Sequence, residues 1–134
     1  LIAEDGIGAT LKPRLHQHGA NHRDVFVLEA VREPDGSDRA FSLAKHLPLL
    51  RAAIEALAID VVAVDPLSAF MSGSDRNGEE IRDILTPLAQ LADQTGVAII
   101  GLVHVGKGAG GGPRRAAQMF LGATAFVAVA RIVW

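Results

Sequence analysis

The sequence contains no cysteine. That absence excludes a disulfide scaffold, a thiolate zinc site and a thiol nucleophile. It also lacks charge of one sign: 13 basic and 15 acidic residues leave a formal net charge of −2. Binding to nucleic acid by bulk charge is therefore excluded, and any such contact must come from a local patch. No apolar run approaches the ~18–20 residues that a membrane span requires. No charged segment precedes an apolar one at the start, so no secretory signal is legible there. The expectation is a cytoplasmic protein with no membrane partner. What is present is 134 residues, 49% hydrophobic and 21% charged, enough for the packed core of one domain or a piece of one.

Both ends of the chain look like the interior of a fold. It opens on Leu1-Ile2-Ala3-Glu4-Asp5 without a methionine and closes on an apolar run ending at Trp134. Termini usually lie in exposed, loosely held segments. The expectation is thus residues 1–134 of a single partial domain, cut from a longer protein.

Apolar period and punctuation predict alternating elements. Leu1–Ala3 reads as the end of a strand. Residues 10–18 carry weak helical periodicity before Gly19. Val25–Leu28 reads as a short strand, and Glu33–Asp38 as a polar turn. Leu50, Ile54 and Leu57 recur at helical spacing within a predicted helix from Leu47 to Leu57. Val61–Val64 is an apolar strand ending on Asp65. Asn77-Gly78-Glu79-Glu80 resembles a capping box opening a helix that runs to about Thr95, with a kink expected at Pro87. Val97–Val103 is a further apolar strand, ending on His104. A glycine-rich loop follows from Gly106 to Pro113, then one or two helical turns, then a last strand over Ala125–Val133. Apolar strands alternating with helices imply an α/β fold with an open, mostly parallel sheet covered on both faces.

In such sheets ligands bind beyond the carboxyl ends of the strands. Glu4 and Asp5 follow the first strand, Asp65 the second and His104 the third. Two acidic positions and an imidazole at one edge match a Mg²⁺–phosphate site, although an Asp or His at a strand end is also common as a simple cap. Asp65 directly after four apolar residues has the form of a carboxylate that orders nucleotide-bound Mg²⁺. Glu4 is a candidate to polarise an attacking water, and His104 to sense the γ-phosphate. Lys107, Arg114 and Arg115 flank the glycine stretch, as a phosphate-tracking loop or a merely solvated one.

Three patterns mislead. Gly101-Leu102-Val103-His104-Val105-Gly106-Lys107-Gly108 misses the phosphate-loop signature at its last position, where a hydroxyl is needed. Gly6-Ile7-Gly8 lacks the third glycine of a dinucleotide fingerprint, because Leu11 stands there. His16, His18 and His22 lie close together without a carboxylate at ligand spacing and read as solvated.

The ordered set resembles a known family. Ala3-Glu4-Asp5 with Lys12-Pro13-Arg14-Leu15, Val61–Phe70, Asp75-Arg76-Asn77 with Arg82 and Leu85–Ala89, Val103–Gly108, and Leu121–Phe126 leading to Ala130-Arg131 are similar to RecA-like P-loop ATPases. The likeness is to the RepA-type hexameric replicative helicases and their AAA-type relatives. The resemblance implies a RecA-like fold truncated at both ends, with ATP and Mg²⁺ as cofactors. It also implies single-stranded DNA as partner and a homo-oligomeric, hexameric ring. Glu4 would be the catalytic glutamate, Asp65 the Walker B aspartate and His104 the residue coupling phosphate state to the DNA-facing loop. Lys107, Arg114 and Arg115 would lie in that loop, and Arg131 near an arginine finger. The Walker A motif is absent from the chain and is expected upstream of Leu1. A non-catalytic scaffold, a recombinase-like motor and a signalling ring remain alternatives.

Overall fold

The computed structural model describes residues 1–3, 6–71, 78–104 and 123–133. The apolar strands behave as their sequences predict. β3 (Val61–Val64) pairs in parallel with β4 (Ala98–Gly101), with Val61 opposite Ala98 and Val64 opposite Gly101. The segment 1–3 lies on the other side of β3, also parallel, with Ile2 opposite Asp65. The Ala3 N–H donates to the Asp65 carbonyl at 2.9 Å, and the Asp65 N–H donates to the Leu1 carbonyl at 3.0 Å. The β3 strand is therefore held from both sides.

Two helices supply most of the core. α2 (Leu47–Leu57) buries Leu50 and Ile54, and α3 (Gly78–Thr95) buries Ile81, Leu85, Leu88 and Leu91. These residues form one cluster with Val62, Val64, Phe41, Leu43, Phe70 and Met71. α2 starts with proline in its first turn, where the missing N–H costs nothing. It ends on Ala58, which takes a left-handed conformation at φ 50° usually reserved for glycine. α3 runs unbroken through the exposed Pro87. It closes on Gly96 at φ 75°, whose N–H donates to the Ala92 carbonyl at 2.9 Å.

Burial along β3 alternates: Val62 and Val64 are buried, while Val61 is 53% exposed. Ile100 on β4 is 42% exposed. The described residues thus cover one face of the sheet, where continuous apolar strands had implied two covered faces. The parallel pair and its helices make a mixed α/β fold whose sheet is small among the described residues.

The chain before α2 is made of short pieces. One wide helical turn at Ile7–Leu11 leads into α1 (Lys12–Gln17), which buries no residue. It stops before Gly19, at φ 70°. The polar turn predicted over residues 33–38 joins a small antiparallel hairpin, β1 (Val31–Arg32) and β2 (Asp38–Arg39). Inside the turn the Asp35 carboxylate accepts from the Ser37 hydroxyl at 2.6 Å and the Ser37 N–H at 2.8 Å. Those two bonds hold the Asp35 carboxyl below the usual carboxylate range.

Two expectations fail. Residues 25–28 form no strand, and Phe26 is 51% exposed. A short apolar run becomes a strand only where an edge is available to pair with it. The last element is not a strand either: Ala123–Val129 is a helix, α4, packed on α3 with Ala125 buried. Its Val and Phe read as strand residues, but Ala123, Ala125 and Ala128 favour a helix, and tertiary packing decides a run this short. The expected boundaries of the capping box at Asn77 and of the glycine-rich loop lie outside the described residues.

Candidate functional site at the carboxyl edge of the sheet

The parallel register brings three strand ends to one edge. Ile2 stands level with Asp65, and Val64 pairs with Gly101, so Leu102 is level with Asp65 on the other side. Beyond the strands the chains stay laced together. The Leu102 N–H donates to the Val64 carbonyl at 2.9 Å, and the Leu67 N–H donates to the Leu102 carbonyl at 2.7 Å. After a cis Asp65–Pro66 peptide the chain turns at once into a short helical turn, Leu67–Phe70. Leu67 packs over Gly101: a Cβ built there would stand 3.2 Å from Leu67 Cδ2. Glycine at 101 lets Leu67 pack this closely inside a strand, since an added methyl would need the Leu67 side chain to give by a few tenths of an ångström.

Asp65 is half-buried at the centre of this edge. Its backbone N–H and carbonyl are both spent on the neighbouring segment 1–3. Its carboxylate has no hydrogen bond or ion pair among the described residues. Beside it the Leu1 N–H donates to the Ala63 carbonyl at 2.8 Å. A partly desolvated carboxylate with open lone pairs is a fitting ligand for a hard cation. It is a single ligand: among the described residues no group of three or more His, Asp or Glu is placed to hold a metal. That donor set suits Mg²⁺, which commonly takes one or two protein carboxylates and fills its other positions with water and phosphate.

The remaining candidates are distributed unevenly. His104 is exposed and two residues past the level of Asp65, at the same edge. Glu4, Lys107, Arg114 and Arg115 lie outside the described residues. Arg131 is elsewhere. It follows α4, is exposed, and pairs with Asp93 near the end of α3, toward the start of β4 rather than its carboxyl end. The rings of His16 and His22 meet edge to face at 6.0 Å.

One feature of the edge was not legible in the sequence. A cavity of about 320 Å³ abuts Ile2 and Ala3 and is walled by Ile7, Phe41 and Phe70, with Glu29 at its border. Phe41 and Phe70 also stack edge to face at 6.4 Å. The cleft forms where residues 40–41 and 69–70 meet Ile2, Ala3, Gly6 and Ile7, and no local pattern encodes that meeting.

Comparison with known protein families gives one match. The AAA domain family matches the chain over residues 1–110. No curated protein matches it. The chain belongs to the AAA domain family, whose members hydrolyse nucleotides.

Proposed function

We propose that this AAA-family chain is the central part of an ATP-hydrolysing motor with a RecA-like core, assembled as a hexameric ring and acting on single-stranded DNA. The observation that carries the reading is Asp65: a half-buried carboxylate without a hydrogen-bond partner among the described residues, at the carboxyl end of the middle strand of three parallel segments.

In this reading Asp65 holds nucleotide-bound Mg²⁺ through water. Such a cation would supply positive charge against the developing charge of the phosphates. The chain's own residues do the rest. Glu4, next after the anchored Ala3, accepts a proton from the attacking water. His104 reads the phosphate state from the adjacent strand end and passes it to the segment that follows. Lys107, Arg114 and Arg115 in that segment hold the DNA backbone. Arg131 serves a neighbouring subunit's nucleotide. Its pairing with Asp93 does not prevent this, because an exposed ion pair is worth only ~0–1 kcal/mol and releases readily. The phosphate-cradling loop is supplied by sequence upstream of Leu1.

The test is made in the full-length protein. Glu4→Gln should abolish hydrolysis while nucleotide binding persists, and unchanged turnover would remove Glu4 from the site. Charge-neutral variants of Lys107, Arg114 and Arg115 should weaken single-stranded DNA binding and flatten its salt dependence. Identical salt slopes would remove that segment from the DNA path.

A further inference from the structure

A second cavity, of about 330 Å³, opens where the hairpin meets the amino end of α2. Glu33, Arg39, Ser42, Lys45 and His46 line it. None of them belongs to the sheet edge that carries Asp65. Arg39 and Lys45 have no ion-pair partner among the described residues, so two cations line the cavity against the single carboxylate of Glu33. His46 is held in one tautomer. Its Nδ1 accepts the Ser42 N–H at 3.0 Å, its ring leans on Phe41 with centroids 5.6 Å apart, and its side chain is only 13% exposed. With Nδ1 committed as an acceptor, the neutral ring carries its proton on Nε2. That Nε2–H points toward Glu33 Oε1, which at 3.7 Å is beyond hydrogen-bond distance. The donor is therefore not consumed. α2 begins at Leu47 and adds the positive end of its dipole from the same side.

Three donors of positive or neutral charge would suit any small anion. Glu33 narrows the choice. A carboxylate at the cavity wall repels an anion unless the anion brings a proton of its own to donate. Near neutral pH hydrogen phosphate carries such a proton, whereas sulfate and a phosphodiester carry none. We propose that this cavity is a binding site for hydrogen phosphate. Arg39, Lys45 and the His46 Nε2–H hold its oxygens, and Glu33 accepts its proton and rejects sulfate. Water fills the space that a tetrahedral anion leaves. The site stands apart from the proposed ATPase reading and does not depend on it.

The experiment uses the full-length protein with ¹⁵N-labelled serine and histidine, titrated with potassium phosphate and with sodium sulfate at matched ionic strength and pH 7. Phosphate should shift the Ser42 amide and the His46 ring signals to saturation. Sulfate should bind about tenfold more weakly or worse, the scale of one charge-assisted hydrogen bond. Arg39→Gln with Lys45→Gln should weaken phosphate about tenfold or more. His46→Asn preserves an acceptor for the Ser42 N–H and removes the Nε2 donor together with the ring contact on Phe41, so it should weaken binding while keeping the Ser42 bond. Should that variant not fold, Glu33→Gln remains decisive. Its amide can donate to sulfate, and the preference for phosphate should vanish. Shifts that never saturate, equal wild-type affinities for the two anions, or an undiminished preference in Glu33→Gln would each overturn the proposal. So would a single-stranded oligonucleotide that shifts the same signals at lower concentration than phosphate.

Discussion

The chain before residue 47 and the chain from 47 to 101 are built on different principles. The later stretch holds α2, α3, β3 and β4, and it contributes Leu50, Ile54, Val62, Val64, Ile81, Leu85, Leu88 and Leu91 to the buried cluster. The earlier stretch has a six-residue α1 with nothing buried and a hairpin of two-residue strands. Its stability comes from turn bonds and from Val31, Phe41 and Leu43, which join the core supplied by the later part, the Leu43 N–H donating to the Phe70 carbonyl. Long periodic elements make the rigid edge that places Asp65. Short, locally bonded elements make the two cavities, at Ala3 and at His46. The contrast teaches where each kind of residue can be varied: the core of the first kind sets the fold, and the turns of the second set what the surface can hold.

Mutations can sharpen that contrast. The largest effect is expected in α3. Leu85→Ala should cost ~2–5 kcal/mol of unfolding free energy, as buried leucines do. The equivalent change in α1, Leu15→Ala, should cost less than ~1 kcal/mol because Leu15 is only half-buried. Equal losses by denaturant titration would erase the distinction.

Next in size is Gly101→Ala. Its methyl would stand 3.2 Å from Leu67 Cδ2, so the Leu67 side chain at the turn after Asp65 must give by a few tenths of an ångström. A loss of ~1–3 kcal/mol is expected, typical of overpacking. In the full-length protein a weaker response to Mg²⁺ should accompany it. A neutral result would mean that Leu67 adapts freely and that the edge is less rigid than its bonds suggest.

A gain is expected at the end of α2. Ala58 sits at φ 50°, where a Cβ is unfavourable by ~1–2 kcal/mol. Glycine removes that strain but loses more chain entropy, so Ala58→Gly should stabilise by about 0.5–1 kcal/mol. A drop in thermal midpoint would contradict the left-handed cap.

The smallest effect lies in the hairpin turn and is read by pH. The folded Asp35 carboxyl titrates below its ordinary range because Ser37 bonds its charged form. A depressed folded value adds stability above the unfolded value, and that contribution fades as pH falls through the folded one. Ser37→Ala should move the Asp35 titration back toward an ordinary aspartate in a carboxyl-detected NMR titration. No movement would mean that Ser37 is not the cause.

The two stretches also differ in how much of them could be read from residues alone. α2 and α3 were legible because Leu50/Ile54 and Ile81/Leu85/Leu88 repeat over several turns, with Gly96 closing the second helix. β3 and its Asp65 terminus were legible because four apolar residues end on a carboxylate. The turn at 33–38 was legible from Pro34, Asp35, Gly36 and Ser37, yet its flanking strands were not, since Arg32 and Asp38 carry no alternating apolar pattern. They pair because Arg32 bonds Asp38 across the strands. Residues 25–28 and 125–133 misled for one reason: a short apolar run has the same composition in a strand, a helix or a coil, and its neighbours choose. His46 showed no signal at all. Its place in a cavity depends on Ser42 four residues earlier and on Glu33 across the hairpin, and such a meeting is written only in the folded chain.

The central claim is that Asp65 orders the metal of a bound nucleotide. The most direct measurement is the affinity of the full-length protein for a fluorescent ATP analogue, with and without Mg²⁺, in the wild type and in Asp65→Asn. The wild type should bind more tightly with Mg²⁺, and Asp65→Asn should lose most of that enhancement while its metal-free affinity stays close to wild type. An Asp65→Asn protein with the full Mg²⁺ enhancement would show that the carboxylate at the middle of the sheet edge does not serve the metal.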